Sequence, residues 1–204
     1  TGIVVGPVLK TAWSQGSANT PPYTYNLYTP SARGCVHTYT GCVATAMGQV
    51  MKYWEWPAAG TGSHSYWWNG RLLSASFAHT YEWASMPASL SSASSSTQVD
   101  AVARLLSDAG IATEMDYGCG GSGASMNAAA NALVSYFYYT PGIRVLDRYF
   151  MTSDEFFAGI KAELDSTPAR PLLFAVWDVY NSSGHALVAD GYQEGSTDYV
   201  HLNL

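Results

Sequence analysis

The sequence is poor in charged residues. Asp, Glu, Lys and Arg make up 12% of the 204 residues, about half the usual share. Lys and Arg number 9 against 15 Asp and Glu, which gives a formal net charge of −6. Nucleic-acid binding depends on clustered basic side chains, so this composition argues against a nucleic-acid partner. A surface built from Ser, Thr, Asn, Tyr and Gly favours an exported protein over a cytosolic one.

The sequence also has no apolar run long enough to cross a bilayer, and it has no recognisable signal peptide. We therefore predict that the chain has no membrane span. Its 204 residues are enough for one well-buried domain or for two closely packed lobes.

Cysteine is scarce, with only Cys35, Cys42 and Cys119. If Cys42 must stay reduced, the other two are the only possible disulfide pair; the alternative is that both are free. No two cysteines have the spacing of zinc ligands, and the histidines form no HExxH-type cluster. We therefore expect no metal site.

The segment from Thr40 to Trp54 carries the main functional signal. Its apolar residues recur at the spacing of a helix that buries one face, and Pro57 prevents the helix from continuing. Cys42 would lie in the first turn, where unpaired backbone N–H groups and the helix dipole favour a thiolate nucleophile. The alternative is that Cys42 is a small buried apolar residue.

A second segment, Gly184 to Tyr192, is apolar and partly β-branched, which is typical of a strand. His185 at its start can approach Cys42 only through tertiary folding, as cysteine–histidine catalysts require. A single histidine is more often a hydrogen-bonded structural residue, so the two segments must be considered together.

Other elements follow from periodicity and turn residues. Asn69-Gly70 predicts a tight hairpin turn, and the glycine-rich stretch from Gly118 to Gly123 is interpreted as a flexible connector. Further helices are predicted over residues 97–109 (stopped by Gly110), from Ser125 to Tyr138, and after a cap at Ser153. Strands are predicted for Pro171 to Val176, His185 to Tyr192 and Tyr199 to Leu204.

The segments TGCVATAMGQVMKYWEWP and GHALVADGY resemble the nucleophile helix and the histidine strand of the streptopain-like bacterial cysteine proteases. Supporting similarity runs through nearly the whole chain, including Trp13-Ser14-Gln15 and Glu114 to Gly118. The resemblance implies an α+β, papain-like fold. A mainly helical lobe (about residues 1–140) would pack against a mainly antiparallel sheet lobe (about 141–204), with the active-site cleft between them.

The resemblance also implies the activity and the site. We expect a secreted or cell-surface endopeptidase that acts on protein or peptide substrates without a cofactor, and in a reducing environment. Cys42 would attack as a thiolate paired with the His185 imidazolium and form a thioester. Gln15 and the backbone N–H of Cys42 would form the oxyanion hole, and Asn203 would orient His185. The alternative is that Gln15 is a surface glutamine, and its distance from Cys42 in sequence does not decide between the two.

An argument from strand register also concerns Asn203. If residues 193–197 form a five-residue loop between the last two strands, Leu187 faces Asn203. His185 and Asn203 would then lie on the same face of the sheet as diagonal neighbours. A slip of one residue would put them on opposite faces.

The sequence departs from the family pattern at its end. In the family, the asparagine strand continues into a segment rich in tryptophan and glycine, whereas here Leu204 stands where many members have tryptophan. We therefore expect either a second chain that supplies the missing C-terminal segment or a truncated species. The N-terminal Thr1-Gly2-Ile3, together with the resemblance, predicts a mature form from which a pro-segment has been removed.

Two other functions fit the same residues. A catalytically silent family member would bind peptide or glycan in the cleft, and an acyltransferase would pass the thioester to an amine instead of water. Alkylation of Cys42 and its dependence on His185 distinguish the silent binder from the enzyme, and product analysis distinguishes ligation from hydrolysis.

Overall fold

The chain folds into helices on one side and an antiparallel sheet on the other. A computed structural model describes residues 3–178, 180 and 183–203. The helices are α1 (Cys42–Trp54), α2 (Ser96–Ala112), α3 (Met126–Tyr136) and α4 (Ser153–Leu164). The strands are β1 (Ile3–Val5), β2 (Ser63–Trp68), β3 (Arg71–Ser76), β4 (Leu172–Asp178), β5 (Ser183–Glu194) and β6 (Tyr199–Asn203). In addition, short 3₁₀ turns occur at Trp83–Ser85 and Arg148–Phe150.

The main hydrophobic core lies where α1 packs against α2, α3 and β5. Met47 and Met51 of α1 and Leu105 and Leu106 of α2 are completely buried. These residues fall at helical spacing on their elements, which is why one face of each helix is removed from water. The α1 helix predicted from the apolar spacing is confirmed.

The α2 helix is longer than predicted. It begins at a capping box in which the Ser95 side chain accepts from the Gln98 N–H and the Gln98 side chain accepts from the Ser95 N–H. The expectation that Gly110 stops the helix is wrong, because α2 continues to Ala112. A Cβ atom on Gly110 would lie 2.2 Å from the Tyr117 hydroxyl oxygen. The glycine is therefore needed for close packing rather than for termination.

The starts of the other two helices follow from capping. Ser125 caps α3 by accepting from the Ala128 N–H, so the helix itself begins one residue later than predicted. The predicted cap at Ser153 is wrong by one residue. Thr152 is the N-cap of α4 and forms a capping box with Glu155.

The hairpin of β2 and β3 turns at Asn69-Gly70, as predicted. Both residues have positive φ, 47° at Asn69 and 72° at Gly70, the combination that type I′ hairpin turns require. Strand pairing runs in register from Trp68 and Arg71 outward.

β5 is the central strand of the larger sheet and pairs antiparallel with β1, β4 and β6. α4 covers this sheet through a small second core of Ile160, Leu164 and Tyr192. Because β1 comes from the N-terminus, the sheet includes residues from outside the predicted sheet lobe of residues 141–204. Leu204, predicted to end the last strand, lies outside the described residues.

The register between β5 and β6 differs from the prediction. Asn203 faces Val188 instead of Leu187, and a β-bulge occurs between Ala189 and Gly191. The extra residue in one strand breaks the alternation of side chains that the parity argument assumed. The inference that Asn203 shares a face with His185 through a regular ladder is therefore wrong.

A disulfide joins Cys35 to Cys119, which settles the alternative left open by the cysteine count. It links the long N-terminal segment to the loop that follows α2, across 84 positions of sequence. In the described part of the chain, no helix is long and apolar enough to cross a membrane.

Candidate active site

A cleft of about 300 Å³ lies between α1 and the first residues of β5. Cys42, His185, Gln15 and Asn203 all line it. The structure therefore brings together the four residues that the sequence predicted as a site, although they are separated by up to 188 positions. Among the described residues that line the cleft, none is Asp, Glu, Lys or Arg.

Cys42 is the first residue of α1 and is not in a disulfide. At this position its backbone N–H has no acceptor within the helix, so it is available to an oxyanion. The preceding Gly41 has φ +90°, and a Cβ atom there would lie 2.5 Å from Met115 Sδ. Only glycine can occupy position 41 without strain, because any side chain there would disfavour the positive φ and clash with Met115. Thr45 stabilises the turn by donating both its N–H and its hydroxyl to the Gly41 carbonyl, each at 3.0 Å.

Gln15 is held beside Cys42 by its backbone. The Thr40 N–H donates to the Gln15 carbonyl at 3.1 Å. Two residues earlier, the Trp13 indole is buried and its Nε1–H donates to the Pro87 carbonyl at 2.9 Å. The segment that carries Gln15 is therefore fixed next to Thr40, which leads into the helix that carries Cys42.

His185 lies where β5 emerges from the core. The strand is exposed from Ser183 to His185 and buried from Ala186 onward. The preceding Gly184 allows the Trp177 ring of β4 to pack against the strand, since a Cβ atom there would lie 2.7 Å from Trp177 Cε3. The His185 ring makes no hydrogen bond to another described residue, and it faces the cleft and solvent.

Asn203 offers a hydrogen-bond acceptor with a fixed direction. Its Nδ2–H donates to the Thr11 carbonyl at 2.8 Å. The other amide atom, Oδ1, is buried and has no partner among the described residues. A buried acceptor left unpaired costs about 1–3 kcal/mol, so this oxygen is suited to accept a ring N–H from His185.

Asp190 connects the N-terminal segment that leads to Gln15 with the sheet. This carboxylate is completely buried; Oδ2 accepts from the Leu9 N–H at 3.0 Å, and Oδ1 lies 2.6 Å from His201 Nδ1. The Asp190 carbonyl also accepts from the Val8 N–H at 2.9 Å. We call residues 8–15 the linking segment, because it runs from these sheet contacts to Gln15.

Sequence reasoning missed one wall of the cleft. Gly120 and Gly121, interpreted as part of a flexible connector, line it. The neighbouring Cys119 is held by the disulfide, and the loop is closed by the bridge between Asp116 and Gly123. The cysteine within the glycine run was the available signal that this loop is anchored.

No group of three or more His, Cys, Asp or Glu residues that could hold a metal ion occurs among the described residues. The polar side chains that line the cleft carry a thiol, an imidazole, amides and hydroxyls. Such a set supports nucleophilic catalysis at an acyl group.

Comparison with solved structures defines the class as papain-like cysteine proteases. The chain superposes on active wild-type interpain A cysteine protease of Prevotella intermedia with a TM-score of 0.83 and 32% identity, covering 98% of this chain and 81% of that one. A prointerpain A fragment matches equally well, with a TM-score of 0.83 and 33% identity over 98% of this chain and 61% of that one.

The model of the peptidase C10 family matches residues 13–204, and the chain belongs to this family. It is 31% identical to the thiol protease/hemagglutinin PrtT of Porphyromonas gingivalis over 98% of this chain. It is 29% identical to streptopain of Streptococcus pyogenes over 82% of this chain. The family and the α+β, papain-like fold expected from the sequence are thus confirmed.

The chain spans 23% of the length of PrtT and 43% of that of streptopain. Both relatives extend beyond the matched part as single sequences. The second polypeptide expected from the sequence therefore gains no support from these comparisons.

Proposed function

We propose that this chain hydrolyses peptide bonds in proteins, with Cys42 as nucleophile and His185 as general acid and base. The proposal is carried by one observation: a free cysteine at a helix N-terminus and a histidine from a distant strand line the same cleft. Membership of the peptidase C10 family supports the same chemistry.

In the first step, the Cys42 thiolate attacks the carbonyl carbon of the scissile bond, and the carbonyl oxygen becomes an oxyanion. The Cys42 N–H and the Gln15 side-chain amide donate hydrogen bonds to that oxygen. Removing one hydrogen-bond donor that is already aimed at a developing negative charge typically lowers kcat by about 10²–10³-fold. The contacts that hold the Gln15 backbone support its role as such a donor.

His185 then donates its proton to the leaving amine nitrogen, and the C–N bond breaks to leave a thioester on Cys42. In the second half, the neutral His185 accepts a proton from water, whose oxygen attacks the thioester and releases the acid. Asn203 accepts the other ring N–H through its unpaired Oδ1 and so fixes the orientation of the imidazole.

The walls of the cleft suggest what kind of peptide it accepts. Its described lining carries no charged side chain, and it includes Trp13, Tyr39 and Leu187. Burying a charged substrate side chain against such walls is costly. We therefore expect uncharged, preferably apolar, side chains next to the scissile bond.

We further propose that the protein is secreted and made with a pro-segment. The Cys35–Cys119 disulfide supports an oxidising compartment. The similarity to a prointerpain A fragment supports a zymogen.

The test is cleavage of an unstructured protein such as casein, with wild-type chain and a Cys42→Ala variant in the presence of mild reductant. We expect hydrolysis by the wild type and none by the variant. Binding of peptide or glycan by both proteins without cleavage would instead indicate a silent family member. Ligated products in the presence of an added amine would indicate acyl transfer.

A further inference from the structure

Gln49 is a buried amide in the helix that carries the nucleophile. It lies seven residues after Cys42, about two turns along α1, and therefore on the same side of the helix. Its exposed fraction is 1%. Burying an amide side chain is costly unless it is hydrogen-bonded, so a role is expected for it.

Its contact is with the linking segment. The Trp13 N–H donates to Gln49 Oε1 at 3.1 Å. Trp13 stands two residues before Gln15, whose carbonyl accepts from the Thr40 N–H. The backbone on either side of Ser14 is thus attached at two points, once to the middle of α1 and once to the residues that lead into it.

The Trp13 side chain packs closely against α1 next to this hydrogen bond. Gly48 precedes Gln49, and a Cβ atom there would lie 2.5 Å from Leu106 Cδ2 and 3.3 Å from the Trp13 ring. The indole therefore packs directly against the α1 backbone. Because the ring and its bond to Pro87 remain without Gln49, the segment should stay folded when the amide is lost.

We propose that Gln49 is a positioning residue of the oxyanion hole: it holds the Trp13 backbone so that the Gln15 amide points to the oxygen of the substrate carbonyl. The inference rests on the proposed function, since it assigns Gln49 a part in the same reaction. Gln49 itself lines the cleft, but the role assigned to it is exerted through the Trp13 backbone and Gln15 and does not depend on contact with the substrate.

The experiment compares wild-type chain with Gln49→Met, which keeps the side-chain length and removes the acceptor. We expect kcat to fall about ten- to a hundredfold, because small misplacements of catalytic groups have costs of this size, and KM to change little. Gln193→Met, on the exposed part of β5, is the matched control and should leave both constants unchanged.

A double-mutant cycle separates positioning from general structure. In a Gln15→Ala background, Gln49→Met should cost less than about threefold in kcat, since residues that act as a unit are non-additive. Thermal unfolding and iodoacetamide alkylation of Cys42 are measured on every variant. Should Gln49→Met fold poorly, Gln49→Asn, which retains an amide but shortens its reach, takes its place with the same expectation.

Equal loss of kcat in both backgrounds, or no loss in either, would overturn this inference while leaving the proposed function intact. A rise in KM with unchanged kcat would also overturn it, because that pattern indicates direct substrate binding. A wild-type chain without hydrolysis dependent on Cys42 would overturn the proposed function itself, and the inference with it.

Discussion

The two sides of the cleft are held very differently. On the helical side, Cys42 starts a buried helix, and the Gln15 segment is attached to it by hydrogen bonds and a buried indole. On the sheet side, His185 lies in the exposed first residues of β5, and its ring makes no hydrogen bond to any described residue. The core beneath the sheet is also much smaller than that beneath the helices.

This difference separates two requirements of the proposed reaction. The oxyanion hole must be rigid before the substrate arrives, because its donors act only if they are already aimed. The histidine must exchange protons with the thiol, the leaving amine and water, and an exposed ring without hydrogen bonds to the described residues is suited to this. Predictions can therefore be directed at each side separately.

The largest effect is expected on the sheet side. His185→Ala removes the group that transfers every proton in the cycle, and we expect kcat/KM to fall by at least about 10³-fold. Cleavage of a fluorogenic peptide measures it. His64→Ala is the matched control, because His64 belongs to a separate surface cluster with Glu114 and Tyr136. Comparable losses in both variants would contradict the assignment.

A smaller effect is expected at the disulfide that anchors the glycine wall. Replacing both Cys35 and Cys119 by Ser removes a link across 84 positions, and loss of a native disulfide typically costs about 2–5 kcal/mol. We expect lower stability in urea unfolding. We also expect a higher KM, because Gly120 and Gly121 line the cleft next to it. An unchanged KM would show that the wall does not depend on the bond.

Asn203→Ala should have a more modest effect on activity. It removes the Oδ1 acceptor and the bond to Thr11 while leaving His185 in place. We expect kcat to fall about tenfold, the scale of one or two kcal/mol for a hydrogen bond that only orients. Asn203→Asp retains an acceptor and should recover part of the loss. A variant as active as wild type would mean that something else orients the ring.

The smallest effect concerns the helical core in alkaline solution. Burial raises the pKa of Tyr139, and its hydroxyl has no partner among the described residues. The unfolded chain releases this proton near the usual tyrosine pKa of about 10, before the folded chain does. Stability from Tyr139 is therefore present below that pH and lost as the pH rises above it.

Tyr139→Phe should accordingly lose less stability than wild type between about pH 9 and 11. At neutral pH it should be within about 1 kcal/mol of wild type or slightly more stable, because an unpaired buried hydroxyl is removed. Tyr138→Phe, at an exposed neighbouring position, should change neither. Identical alkaline unfolding curves for wild type and Tyr139→Phe would rule out this contribution.

Sequence reasoning succeeded where the signal was local. The apolar spacing predicted α1, and the Asn69-Gly70 pair predicted the hairpin, because backbone conformation there depends on neighbouring residues. It failed at Gly110, where a distant ring decides that glycine is needed inside the helix. It also failed in the β5–β6 register, because the alternating pattern of the strand does not reveal the bulge between Ala189 and Gly191.

The site shows the same limit. Cys42, His185, Gln15 and Asn203 were predicted through resemblance, and the structure brings them to one cleft. Gln49 went unnoticed because its hydrogen bond is to a backbone N–H 36 positions away. Gly120 and Gly121 were missed since a wall formed by backbone has no side-chain signature.

The central claim is that a thiolate on the helical side is formed in partnership with the imidazole on the sheet side. It is tested most directly by peptide-mapped alkylation of Cys42 with iodoacetamide at mildly acidic pH, in wild-type chain and in His185→Ala. The account predicts rapid, stoichiometric labelling of the wild type that is largely lost in the variant. Slow labelling of both proteins that rises only near pH 8.5, as for an isolated thiol, would contradict it.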